Sequence, residues 1–313
     1  MKRALLIFTL FSLFILLTGA WAASLDLSTA KIIHLNKDKL TLKTVQVVQE
    51  EIHQRTSIKL PASRKLPHKD GSMIVLATEK EFSKLPEAWQ SQLKDLPKTN
   101  DEGFKIITID SEQKAVVIVG RDQRGLLFGA GYFLRKSELS KGRIDVPKDL
   151  ALSSSPHYPL RGHQLGYRPK TNSYDAWSVA QFDQYIRELA LFGANSIEIM
   201  PPRTDDDEIS VHMKLPAIKM MAEQSRICQD YGLDVWMWYP NLAENYAHPE
   251  TIAAELNERR EIFSALPKLD HLFVPGGDPG ELEPDILFSW LEQVSELMLH
   301  YHPNAKIWVS PQV

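Results

Sequence analysis

The clearest pattern in the chain lies beyond about residue 160, where apolar runs recur at a near-constant interval. Strands are predicted at RGHQLGYR, NSIEIMPP, LDVWMWYP, LDHLFVPGG and AKIWVSPQ. Their centres, near His163, Ile197, Val235, Leu272 and Trp308, are 34, 38, 37 and 36 residues apart. Between them the apolar spacing changes to that of helices: Val179, Phe182, Ile186 and Leu189, then Leu215, Ile218, Met221, Ser225 and Cys228, then Ile286, Trp290, Val294 and Leu297. Regular strand–helix alternation implies a parallel sheet, either doubly wound or closed into a barrel. The constant period and the unusual residues after every strand favour a barrel, which gathers all its strand-end loops on one face.

Residues 24–155 have a different rhythm and are expected to form a separate small α+β domain. AKIIHL, SMIVLAT and the pair FKIITID/KAVVIVG read as strands, and TLKTVQVVQEEIHQRTS reads as an amphipathic helix. GRDQRGLLFGAGYFLRKS is a glycine-led turn entering a second helix. Its glycines at 120, 125, 129 and 131 do not fit GxGxxG, and it lacks the Lys-Ser/Thr of a phosphate loop. Close packing of helix on sheet accounts for them better than a nucleotide does.

Ahead of this domain, Lys2 and Arg3 precede the apolar run LLIFTLFSLFILL, and TGAWAAS follows with Ala20 and Ala22 in the small-residue pattern of a cleavage site. Residues 1–22 are therefore expected to be a secretory signal, placing the mature protein in the periplasm or outside a bacterial cell. The apolar core, 13 residues, is short against the roughly 20 of a membrane span, so no stable span is expected once the signal is removed.

Composition adds exclusions. With 43% hydrophobic and 24% charged residues in 313, the chain is ordinary globular material for two domains. A net charge of -4 without a basic cluster argues against nucleic acid. The single cysteine, Cys228, lies on an inward helical stripe and is expected in a core, not as a nucleophile or disulfide partner.

Candidate chemistry clusters after the strands: Gly166, Tyr167 and Arg168; Arg203 with the acidic run Asp205 to Glu208; Trp238, Tyr239 and Asn241; Gly277, Asp278 and Glu281; Ser310 and Gln312. Aromatic plates, amides and carboxylates suit a sugar, whose ring offers apolar C–H faces and a rim of hydroxyls. No metal set and no organic cofactor is apparent. Trp236 and Trp238 alternate with Met237, so one face of that strand looks to the barrel interior and the other to its helices. Trp238, nearer the strand end, is the indole expected at the site, with Trp236 in the core. His163 reads equally as a hydrogen-bonded strand residue and as a sugar contact. The acidic run is expected to be a solvated loop. In FVPGGDPGELEP, Pro279-Gly280 makes a turn, but the two glycines before Asp278 place a carboxylate at the presumed mouth.

GFKIITID, KAVVIVGRDQRGLLFGAGYFLRK and SPHYPLRGHQLGYR resemble the N-terminal domain of family 20 β-hexosaminidases and α-glucuronidases, and its passage into a catalytic (β/α)8 barrel. Arg161-Gly162 resembles the pair that opens the first barrel strand in those proteins. The resemblance implies a glycoside hydrolase acting on a glycan. Family 20 enzymes carry Gly-Gly-Asp-Glu after the fourth strand, where Asp orients the acetamido nucleophile and Glu is the general acid. Gly276, Gly277 and Asp278 match by residue and strand number, whereas Pro279 occupies the Glu position and the nearest glutamate is Glu281. That departure leaves open another glycoside, such as a uronic acid, or a non-catalytic carbohydrate-binding protein that kept the fold. The resemblance implies a catalytic role for Asp278; together with the strand-end chemistry, Glu281 is expected as the acid and Tyr167, Arg168, His163, Trp238, Tyr239 and Asn241 as substrate contacts. The expected fold is thus a small α+β domain followed, over residues 156–313, by an incomplete TIM-type barrel of about five strands. Eight strands close such a barrel. Five lead to the expectation that the chain is the front part of a longer enzyme, inactive and aggregation-prone alone.

Overall fold

The computed structural model describes residues 23–67, 71–166, 176–201, 210–277 and 282–310. The signal-like residues 1–22 lie outside these. The chain divides into two compact units between Ser155 and Pro156. Among the described residues no helix is long and apolar enough to cross a membrane.

The first unit is built on a six-stranded sheet of order β3-β2-β4-β6-β5-β9. Its strands are β2 (Lys31–His34), β3 (Ala62–Ser63), β4 (Gly71–Thr78), β5 (Phe104–Asp110), β6 (Gln113–Gly120) and β9 (Ala151–Ser154). β2, β3, β4 and β6 run parallel, while β5 pairs antiparallel with β6 and β9. Both faces are covered, so the central strands are apolar on both sides. Ile32, Ile74, Val116 and Ile118 pack with Val48 and Ile52 of helix α1 (Lys39–Thr56) and with Leu126 and Phe133 of a later helix. Ile33, Val75 and Val117 face the other way, onto Trp89 and Leu93 of α2 (Glu87–Asp95). A small antiparallel sheet of β1 (Ser24–Asp26), β8 (Arg143–Pro147) and β7 (Glu138–Ser140) completes the unit.

The glycine cluster is a packing device. The helix α3 (Gln123–Lys136) is capped by Asp122, whose carboxylate accepts from the Gly125 N–H at 2.8 Å and from the Glu102 N–H at 2.7 Å. A Cβ on Gly125 would lie 2.1 Å from the Gly103 carbonyl oxygen, and one on Gly120 would lie 2.2 Å from the Leu126 nitrogen. Only glycine lets these backbones approach.

The second unit is a parallel sheet of order β10-β11-β12-β13-β14: Gly162–Gln164, Ser196–Ile199, Asp234–Trp238, His271–Pro275 and Lys306–Ser310. Helices α4 (Val179–Leu191), α5 (Ala217–Asp230), α6 (Pro249–Ala265) and α7 (Pro284–Tyr301) connect the strands. Ser178 caps α4 and exchanges bonds with Gln181. Phe182, Ile186, Met221, Ile227, Leu291 and Val294 are among the residues these helices bury. Cys228 is fully buried, and burial pushes its thiol pKa up, which fits a core residue and not a nucleophile. Five (β/α) strands in sequential parallel order are the architecture of a TIM-type barrel interrupted before closure, and among the described residues the sheet ends at β10 and β14.

Candidate functional site

The two faces of this sheet differ in chemistry. Alternate residues point to opposite sides, and Ile197, Ile199, Val235, Met237, Leu272 and Val274 form one set, all 2% exposed or less and covered by the helices. The other set is polar and aromatic. Register carries it across the strands: Gln164 lies beside Glu198, Glu198 beside Trp236, Trp236 beside His271, and Phe273 beside Trp308. This second face is the one a closed barrel would turn inward.

Its side chains are interlinked. The Gln164 side-chain amide donates to the Glu198 carboxylate. Burial raises the pKa of Glu198, and the bond from Gln164 opposes that rise. Trp236 stacks on His271 with centroids 4.2 Å apart and planes at 26°. Trp308 Nε1–H donates to His271 Nδ1 at 2.9 Å, so the neutral imidazole carries its proton on Nε2. Burial lowers the pKa of His271, against the raising influence of Asp234 and Asp270. Beside this row is a cavity of about 340 Å³, lined by Gly162, Gln164, Ser196, Glu198 and Trp236 among others.

Of the residues singled out from the sequence, Asp278, Glu281, Tyr167 and Arg168 lie outside the described residues, as do Arg203 with the acidic run, and Gln312. The backbone leading to Asp278 is described as far as Gly277. Gly276 N–H donates to the Ser310 carbonyl at 3.1 Å, so the fourth strand of the sheet ends beside the end of the fifth.

The remaining candidates require corrections. His163 has its Nε2 hydrogen-bonded to the Tyr185 hydroxyl at 2.9 Å, as the strand-residue alternative expects, and the residue also borders the cavity, so the two alternatives are not exclusive. Tyr239 is fully buried; its hydroxyl donates to Glu258 and the Arg259 guanidinium lies 4.0 Å from its ring centre. One step beyond Trp238, alternation turns it into the helix layer and away from any substrate. Asn241 is 2% exposed, and its Oδ1 accepts from Trp290 Nε1 at 2.8 Å and from Arg259 Nη2 at 3.4 Å. It braces the loop after the third strand against α6 and α7. Trp236 and Trp238, two residues apart, share one face; Trp238 is 8% exposed while Trp236 lines the cavity. The expectation that Trp236 is plain core is overturned by that shared parity. Gln164 and Glu198 went unremarked in the sequence, although both stand as polar residues within apolar strands.

With this geometry in hand, the likenesses to known proteins can be stated. The model of the glycosyl hydrolase family 67 N-terminus matches residues 23–133, within the first unit. No curated protein sequence matches the chain. Among solved structures, a family 20 β-N-acetylhexosaminidase from Streptomyces coelicolor A3(2) superposes with a TM-score of 0.64 at 12% identity, over 92% of this chain and 63% of that one. Streptomyces plicatus N-acetyl-β-hexosaminidase in complex with thio-NAglucal gives 0.62 at 13% identity, over 92% and 62%. A family 138 enzyme targeting pectin rhamnogalacturonan II gives 0.53 at 11% identity, over 90% and 38%. At these identities the likeness establishes the fold, and the chain spans less than two thirds of the length of these proteins.

Proposed function

We propose that the chain carries the small domain and the substrate-facing first strands of an exported glycoside hydrolase that cleaves O-glycosidic bonds of an amino-sugar or uronic-acid glycan. The observation that carries this reading is the end of the fourth parallel strand. His271–Pro275 runs into Gly276-Gly277 and then Asp278, the strand number and residue order of the family 20 motif, in a chain of that fold. Cleavage needs a proton delivered to the leaving oxygen and a carboxylate that stabilises or orients the group reacting at the anomeric carbon. In this reading Glu281 supplies the proton and Asp278 takes the second role, with Tyr167, Arg168 and Trp238 toward the sugar. Residues 1–22 direct export to the periplasm or beyond, and no nucleic acid or organic cofactor takes part.

The test, made on the full-length gene product, is release of nitrophenol from nitrophenyl β-N-acetylglucosaminide and glucuronide. Turnover that falls about a hundredfold or more in Asp278→Asn supports the reading, since removing a group acting in the transition state costs that much. Turnover unchanged in that variant rejects the role of Asp278. One observation favours a second reading, a carbohydrate-binding protein without chemistry: Pro279 stands where the motif has its acid. Saturable oligosaccharide binding with no hydrolysis of either substrate would select it.

A further inference from the structure

Behind the carboxyl ends of the third and fourth strands of the second unit, polar side chains occupy positions that apolar packing could fill. Asn241, just past β12, is buried in the helix layer, and its Oδ1 accepts from Trp290 of α7 and from Arg259 of α6. Arg259 is buried against the rings of Tyr239 and Trp290, with Glu255 as its ion partner. Tyr246, from the same loop as Asn241, donates to Glu255, and its ring lies 5.0 Å from that of Trp290. β12 and β13 are interior strands of the sheet, so this network does not sit at a sheet edge.

Stability alone does not account for it. Replacing a buried ion pair by apolar residues of similar volume is often neutral or stabilising. Asn241 Nδ2 is buried without a hydrogen-bond partner, a cost that an apolar side chain would not carry. What the bonds supply is orientation. With two donors aimed at Oδ1, reversing the amide would set its NH2 against them, so the loop after β12 and the second turn of α7 keep one fixed relation.

That relation reaches two places in the hydrolase reading. Trp238 is followed directly by Tyr239, which Arg259 and Glu258 hold in the helix layer. Glu283, the N-cap of α7, stands five residues after Asp278. The segment carrying Asp278 is therefore anchored at one end by the bond from Gly276 to Ser310, and at the other by a helix that Trp290 ties to Asn241. The network also lies at the strand-end face, where (β/α) barrels carry their sites.

We propose that Asn241 and Trp290 are positioning residues for the site at these strand ends, a proposal that rests on the hydrolase reading. Their hydrogen bond, locked by Arg259, holds the Trp238 side of the site in register with the Asp278 segment. Neither residue touches substrate. Misplacing a reacting group by about 1 Å costs up to about a hundredfold in rate, so losing this bond lowers kcat more than it raises KM.

The experiment compares wild type with Trp290→Phe, Asn241→Leu and Ile186→Ala in the full-length gene product. Ile186 is buried on α4, an element that carries none of the network, so its truncation lowers stability and serves as the control. Turnover of the nitrophenyl substrates is measured per folded molecule, well below each melting temperature, beside hydrogen exchange of peptides covering 239–248 and 284–291. In Trp290→Phe, kcat is expected to fall about tenfold or more with KM within about threefold of wild type, and both peptides to exchange faster. Ile186→Ala is expected to show neither change. Because Trp290→Phe keeps a ring in place, it preserves the test should Asn241→Leu fail to fold. Wild-type kcat in folded Trp290→Phe, a loss matched by Ile186→Ala, or unaltered exchange in both peptides overturns the proposal. Should wild type hydrolyse neither substrate, the hydrolase reading falls and exchange alone decides the positioning: quickened in Trp290→Phe but not in Ile186→Ala, it stands as the brace of a binding site; unaltered, it falls too.

Discussion

The guanidinium of Arg259 lies 4.0 Å from the centre of the Tyr239 ring, at a depth where the arginine is 1% exposed. Trp290 stands 4.8 Å away on another side, and Glu255 accepts from Arg259 Nη1 at 2.5 Å. This charge is thus held between two aromatic faces and a carboxylate that also accepts from the Tyr246 hydroxyl at 3.1 Å. Removing one partner leaves the other charged and buried. Arg259→Met is expected to destabilise the second unit by about 3–5 kcal/mol, and the double variant with Glu255→Gln to recover a substantial part of that loss. Urea denaturation of the two variants checks it; a double variant no more stable than Arg259→Met would show that packing, not the stranded charge, dominates.

The first unit makes its own prediction at the start of α3. Gly125→Ala puts a methyl 2.1 Å from the Gly103 carbonyl oxygen, and because the obstacle is backbone, no rotamer relieves it. A loss of about 1–3 kcal/mol is expected, as for overpacked sites, read as a lower urea midpoint with unchanged slope. A variant as stable as wild type would mean that this contact is looser than the structure has it, and would reopen the question of what the glycines serve.

Much of this fold could be read from the pattern of apolar residues. Every barrel strand expected around His163, Ile197, Val235, Leu272 and Trp308 is present, and β11, β12 and β13 each carry a buried apolar set that repeats at two-residue spacing. The helix α6 was not legible. Its buried face includes Glu255 and Arg259, and two charged residues in the inward stripe erase the periodicity that marks α4, α5 and α7. The site was harder. Tyr239 and Asn241 have the chemistry of sugar contacts, but strand parity and the Arg259 cluster draw them into the helix layer, and neither effect shows in residue type. The same parity places Trp236 with Trp238, and the Gln164–Glu198 pair joins residues 34 apart that only the strand register brings together.

Stability should also respond to acid through His302. It is 9% exposed, its Nε2–H donates to the Phe263 carbonyl at 2.9 Å, and burial lowers its pKa below the usual 6.5. The unfolded chain therefore takes up the proton first as pH falls. The contribution of His302 is present above about 6.5 and is lost as pH drops through the folded value. His271, also lowered, acts in the same direction. Melting temperature is expected to fall between about pH 6.5 and pH 5, and less steeply in His302→Gln, which keeps a donor for Phe263 but has no proton to gain. An unchanged slope in that variant would assign the acid sensitivity elsewhere.

Glu198 should show the opposite sign. Its folded pKa is raised by burial, so its contribution to stability is fully present below the ordinary carboxylate value of 4.5 and is lost as pH rises through the folded value. Among the described residues the carboxylate accepts only from Gln164, so above its folded pKa its charge is a net cost to the fold. Glu198→Gln keeps the shape, removes the charge and can still pair with Gln164. It is expected to raise stability at pH 7 by about 0.5–2 kcal/mol, within the range found when a costly functional group is replaced, and to have a smaller effect at pH 4, below the ordinary carboxylate value of 4.5. Thermal melts at the two pH values decide it, and a variant less stable at pH 7 than wild type would show that the carboxylate is stabilised by more than the Gln164 bond.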